Sequence, residues 1–158
     1  MKTYINTKGG QKMEKEELTK KVILYLINRL EKDIEGRKKL MKLMFLVEHF
    51  NQDSQKLVKE GKLGNEFIIY HYGVFSFDVM NRYLELAKEG KIKDNFPMSI
   101  INLQKVELPT EIKQDVDGII NIFGKKTGKV LELETLEMLK LNLETKKENF
   151  GKPVIQFI

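Results

Sequence analysis

The stretch from Gly36 to Phe50, GRKKLMKLMFLVEHF, constrains this chain more than any other. It opens with four cations, Arg37, Lys38, Lys39 and Lys42, and then turns apolar almost all round through Leu40, Met41, Leu43, Met44, Phe45, Leu46, Val47 and Phe50. A helix with one wet face would show a stripe at i, i+3, i+4 and i+7. Five consecutive apolar residues, Leu43 to Val47, instead put side chains on every side of the axis. No apolar run approaches the roughly 18 residues of a membrane span. The pattern therefore predicts a helix enclosed in the middle of a small domain.

The rest of the chain is consistent with that. A length of 158 residues suits one domain with a substantial core. Apolar residues at 41% and charged residues at 32% describe a globular chain rather than a disordered one. With no cysteine there is no disulfide framework or thiolate metal site, and no signal-peptide pattern opens the chain, so a cytoplasmic, non-membrane protein is expected. The net charge of +5 is uneven: residues 1–64 carry +6 and residues 65–158 carry −1. That excess suits an anionic partner, or a solvated lysine-rich surface.

In chain order, residues 1–12 contain Gly9-Gly10 without helical pattern and read as a flexible arm before a single globular domain over 13–158. Glu14, Glu16 and Glu17 favour a helix start, and Leu18, Val22, Tyr25, Leu26 and Leu30 carry an amphipathic helix to about Asp33. Beyond the central helix and a polar loop, Glu66 to Tyr72 reads as a strand of about six residues, with Phe67, Ile69 and His71 on one face and Ile68, Tyr70 and Tyr72 on the other. Ser76 is the expected N-cap of a helix that runs to Glu89-Gly90. Lys91–Lys93 and Ile100–Leu108 suggest a hairpin. A fourth helix follows Pro109, interrupted by Gly118 at a cost of about 1 kcal/mol relative to Ala. A fifth is expected over about Leu133–Lys146, and the apolar tail Pro153–Ile158 should pair as a strand or dock on the core. The fold class is thus α+β and mainly helical: a winged-helix-like core over about 18–108, a small antiparallel sheet, and a helical C-terminal extension over 109–158.

Several chemistries fail on the residues. His49 and His71 are the only histidines and lie on different elements, which leaves no clustered metal ligands. Gly124-Lys125-Lys126-Thr127-Gly128-Lys129 is one residue short of a phosphate loop, and Val130 replaces its Ser or Thr. There is no G-x-S-x-G turn. No catalytic residue, metal or cofactor is expected.

Two binding surfaces remain. Arg37, Lys38, Lys39 and Lys42, with Asn81 and Arg82 on the following helix and Lys91, Lys93 and Lys105 on the hairpin, would contact nucleic acid in a winged-helix reading. That following helix, from Ser76 to Glu89, carries −1, which suits DNA poorly. Tyr70, Tyr72, Phe75 and Ser76 form the other surface, an aromatic platform for a protein partner. An edge strand at 67–72 or 154–158 would also allow a homodimer by strand pairing.

The same residues carry a family likeness. GRKKLMKLMFLVEHF resembles the G-R-x-x-L-x-K-L-x-F-L helix of Panacea-domain proteins, which include YwgA-like proteins of bacteria and archaea and SocA-type antitoxins. Phe67 to Ser76 is similar to the family's F-x-x-Y-x-Y-G-P-Y-S turn, with Val74 in place of proline and Phe75 in place of tyrosine. Leu84 to Ile92 looks like its L-x-x-L-x-x-x-G-x-I exit. The likeness covers about residues 18–93. It implies a non-enzymatic binding module, an antitoxin-like or adaptor protein acting by protein contact, a toxin being one such partner.

Overall fold

The computed structural model describes residues 4–6, 12–95, 99–100 and 106–158. Strands β1 (Tyr4–Asn6) and β2 (Lys12–Glu14) lead into α1 (Lys15–Leu30); α2 (Arg37–His49), β3 (Phe50–Asn51) and β4 (Lys56–Leu57) follow. Next come β5 (Ile68–Tyr70), β6 (Gly73–Phe75), α3 (Phe77–Lys88), β7 (Ile92–Lys93) and β8 (Ser99–Ile100). The chain closes with α4 (Thr110–Phe123), α5 (Gly128–Met138), α6 (Leu143–Glu148) and a 3-10 turn at Val154–Phe157. The protein is α+β and mainly helical; the strands pair two by two, all antiparallel. Among the described residues no helix is long and apolar enough to cross a membrane.

Every residue of α2 from Lys39 to His49 is buried. Helices α1, α3, α4 and α5 and strand β6 all pack against it, so no side of its axis meets water. An all-round apolar sequence demands this arrangement. The amphipathic helices around it bury one stripe each: Val79, Tyr83 and Leu86 on α3, and Ile112, Val116, Ile119 and Phe123 on α4.

Four details differ from the sequence reading. The expected long strand is a tight hairpin, with Ile68 opposite Phe75, Ile69 opposite Val74 and Tyr70 opposite Gly73. Gly73 sits at φ +89°, a left-handed conformation that lets the chain reverse through His71 and Tyr72. His71 is therefore an exposed turn residue rather than a strand residue, while Phe67 and Ile69 do share the buried face. Secondly, the helix expected over Leu133–Lys146 is two helices. Lys140 takes a left-handed φ of 61°, and Asn142 starts α6 with a capping box. Thirdly, the edge of β5 expected to be open is occupied. Ile69 N donates to Lys152 O (3.0 Å), Gly151 N to Ile69 O (2.7 Å) and Val154 N to Phe67 O (3.0 Å), which leaves that edge no room to pair with a second copy. Finally, within the N-terminal arm Tyr4–Asn6 pairs with Lys12–Glu14, so α1 starts at Lys15. The hairpin's far side, including Ile101, Leu103 and Lys105, lies outside the described residues; Ile92 opposite Ile100 is the pairing described.

Candidate binding site

The two groups of residues singled out in the sequence converge on one cavity of about 300 Å³. The first turns of α2 supply Arg37, Lys38, Met41 and Lys42; the β5–β6 hairpin supplies Tyr70, His71, Tyr72 and Phe75; α3 adds Met80. Hairpin and helix meet because Val74, fully buried in β6, accepts a hydrogen bond at its carbonyl from Lys42 Nζ (2.9 Å).

The four cations at the start of α2 all have partners within the protein, Lys39 and Lys42 buried, Lys38 half-buried and Arg37 exposed. Arg37 pairs with Asp94, its Nε reaching Oδ1 at 3.1 Å, and its guanidinium lies 5.5 Å from the Tyr83 ring centroid. The Tyr83 hydroxyl donates to the same carboxylate. Hydrogen bonding to Arg37 holds the Asp94 carboxyl below its usual range, against the opposing effect of burial. Lys38 pairs with Glu132 Oε1 at 2.6 Å and sits 5.2 Å from the Tyr72 ring centroid. Lys39 is buried, donating to the carbonyls of Asp33 (2.6 Å) and Gly124 (2.6 Å). Burial lowers its pKa against the pull of Asp33 and Glu35. Lys42 is only 1% exposed. Burial lowers its pKa to about 7, helped by the charges of Lys38 and Lys146 and opposed by Glu132.

Glu132 on α5 is the hub the sequence did not reveal. It accepts from Lys38 and from Lys146 Nζ (3.1 Å), and Lys146 also donates to His71 O (2.7 Å). Burial works to raise its carboxyl, but the two lysines hold it below the ordinary range. Two ammonium groups thus share one carboxylate. Nothing in an acid flanked by Leu131 and Leu133 signals a partner more than ninety positions away. Burial of Lys42, by contrast, was signalled by the absence of any wet face around it.

The other expected nucleic-acid residues are dispersed. Asn81 is exposed on α3, and Arg82 beside it is tied to Glu16 (2.9 Å) and Glu85 (2.7 Å). Lys91 is exposed and pairs with Glu89 (3.1 Å); Lys93 is exposed on β7.

The expected partner-binding residues split by depth. Ser76 is fully buried: its Oγ accepts from Val79 N (3.2 Å) as the N-cap of α3, so its role is structural. Tyr70 and Phe75 are half-buried, and Tyr72 is 66% exposed. They belong to a wider aromatic surface that includes Phe77 (54% exposed) and Phe150 (41% exposed). Ring centroids lie 5.4 Å apart for Tyr70–Phe75, 4.9 Å for Phe75–Phe77 and 5.0 Å for His71–Phe150. The spacing of α3 assigns Phe77 to its apolar face, yet at the first position of the helix it is exposed, and Phe150, in a turn, carries no pattern that marks it.

His49, the last residue of α2, is buried as well. Its Nδ1 lies 2.9 Å from Val58 O and its ring packs on Phe45 and Phe67; burial lowers its pKa. Comparison of this chain with family models, with curated proteins and with solved structures finds no match.

Proposed function

We propose that this chain is a non-enzymatic binding module of the antitoxin-like or adaptor kind, contacting a partner protein through the aromatic surface around the β5–β6 turn. One observation carries the reading. Tyr72, Phe77 and Phe150 are solvent-exposed, while every cation at the start of α2 is engaged by groups of the protein itself. Exposed aromatics clustered around a pocket are the anchors that protein interfaces use. Ammonium groups already bonded inside are poor phosphate contacts. The order helix, buried helix, hairpin, helix, strand pair supports a winged-helix-like core, and the motifs in α2 and the hairpin support kinship with Panacea-domain proteins. The cysteine-free sequence suits a cytoplasmic setting.

A photo-crosslinking residue in place of Tyr72, in cells of the native host, tests this. The expected result is a discrete protein adduct that disappears in a Phe77→Ser background and is absent when the probe replaces exposed Ile122 on α4. Equal labelling from both positions, or none from position 72, would overturn the reading. An adduct of twice the chain's own mass would identify the partner as a second copy.

A further inference from the structure

We propose that the groove between α5 and α6 is a second docking surface, whose occupant is an amphipathic helix of another protein with leucine-like residues on one face and lysine or arginine beside them. Three observations on this part of the fold point there. The left-handed turn at Lys140 ends α5, Asn142 starts α6, and the bend between them leaves a groove of about 520 Å³. Its apolar lining is only partly covered: Leu136 is buried, but Leu133 and Leu143 are 43% and 48% exposed. Val130, one turn before Leu133 on the same face of α5, is exposed too. The charged residues of the lining are both acids, Glu137 and Glu144. Among the described residues neither carboxylate forms an ion pair, and Lys140, exposed in the turn between the helices, pairs with neither.

Leucines left in water forgo the free energy that burial would give them. A helix with apolar residues at i, i+3, i+4 and i+7 recovers it, because such a ridge of side chains fits a groove between two helices. The two glutamates set the sign of the partner. Lysine and arginine lay long hydrocarbon stems over leucine while their charged ends reach a carboxylate, and an acidic helix would be repelled. Helix α5 has 11 residues, about 16 Å of length, so roughly three turns of a partner helix span the groove. A second copy of this chain does not supply that charge. Helix α3, which exposes Phe77 and Leu84, has two cations against three acids over Ser76–Glu89, and α4, which exposes Ile122, has one lysine against three acids. The groove shares no residue with the cavity beneath the β5–β6 turn, so this inference stands apart from the reading of that surface. With both contacts the chain would join two proteins, as an adaptor does.

The probe is a helix-stapled synthetic peptide of about 14 residues, with leucine at i, i+3, i+4 and i+7 and lysine flanking them. Its titration into the full chain is followed by calorimetry and by backbone amide shifts. The expected dissociation constant is roughly 1–100 µM, with the shifts at Leu133 and Leu143. The same peptide with glutamate for every lysine should bind about tenfold or more weakly. Leu133→Ser and Leu143→Ser, both at exposed positions, should each weaken the basic peptide about tenfold while the circular dichroism spectrum stays native. Glu137→Lys should remove the preference for the basic peptide. Equal binding of the two peptides, unchanged affinity in the leucine variants, or no binding at about 1 mM would overturn the proposal. Shifts at Tyr72 and Gly73 in place of Leu133 and Leu143 would put the peptide on the aromatic surface and overturn it as well. A protein that sediments as a dimer until Leu133→Ser is introduced would assign the groove to a second copy and overturn the partner-helix claim.

Discussion

Lys42 shows how a single charge changes meaning with its surroundings. On a surface helix it would be one more solvated cation; inside α2 it is an amine with a pKa near 7, depressed chiefly by burial. Linkage fixes the consequence. An unfolded lysine keeps its ordinary pKa of 10.5, so between about 7 and that value the unfolded chain binds more protons than the folded one. The contribution of Lys42 to stability therefore rises with pH across that window. The Lys42→Met variant should lose that rise, which denaturant titrations at both ends of the window would detect. Glu48, fully buried on the same helix, makes a complementary case. Its carboxylate accepts from the backbone amides of Leu63, Gly64 (3.0 Å) and Asn65 (2.8 Å), pinning the loop after β4 to α2. Burial pushes its pKa up while those amides pull it down, and burial prevails. Glu48→Ala would strand the buried amides of Leu63 and Asn65 and the half-buried amide of Gly64 and should cost about 3 kcal/mol in chemical denaturation, whereas a change at exposed Glu60 to Ala should stay within about 0.5 kcal/mol. Both polar residues were legible in principle: each lies in a helix with no wet face, so each had to be buried. Their partners were not legible, because a backbone carbonyl in β6 or a run of amides in a loop leaves no mark on side-chain patterns.

Among the elements, those read correctly carry their signals locally. Ser76 caps α3, Gly90 ends it at φ +75°, and the spacing of apolar residues between them selects the buried face. Those misread depend on contacts at a distance or on backbone conformations that residue type does not announce. Leucines spaced through 131–143 look like one helix, yet Lys140 adopts a left-handed conformation and Asn142 restarts the chain. Asn142 Oδ1 accepts from the amides of Glu144 and Thr145, both at 2.9 Å, and the Thr145 hydroxyl accepts from Asn142 N (2.8 Å). Asn142→Ala should cost about 1 kcal/mol in thermal or denaturant unfolding, and Asn142→Asp almost nothing. Gly118 illustrates the opposite case, an interruption with a purpose. A Cβ there would fall 1.8 Å from Gln52 Oε1, and Gln52 bonds Asp115 O (2.8 Å), so the glycine lets the turn after β3 lie against α4.

At the scale of the molecule, chain segments far apart in sequence close around α2. The C-terminal residues complete the β5–β6 hairpin from its other edge and bury Val154 in the core. Val154→Ala should lower stability by about 2 kcal/mol and loosen the C-terminal segment on the edge of β5, measurable as faster amide exchange at Ile69. The mainly helical class and the central place of α2 were readable from one hydrophobic pattern. The site was readable only as two separate lists of residues, because the contacts of Lys38 and Lys146 with Glu132 join parts of the chain that no local rule connects. Those contacts also decide the functional claim. If the basic entry of α2 serves the interior, duplex DNA should find little to hold. A fluorescence-anisotropy titration with mixed-sequence duplex DNA at about 50 and 200 mM salt tests this most directly. No binding is expected at micromolar protein at either salt. Tight binding at the lower salt that collapses at the higher one, and again in a Lys38→Glu variant that remains folded, would contradict it and make the basic helix a nucleic-acid contact.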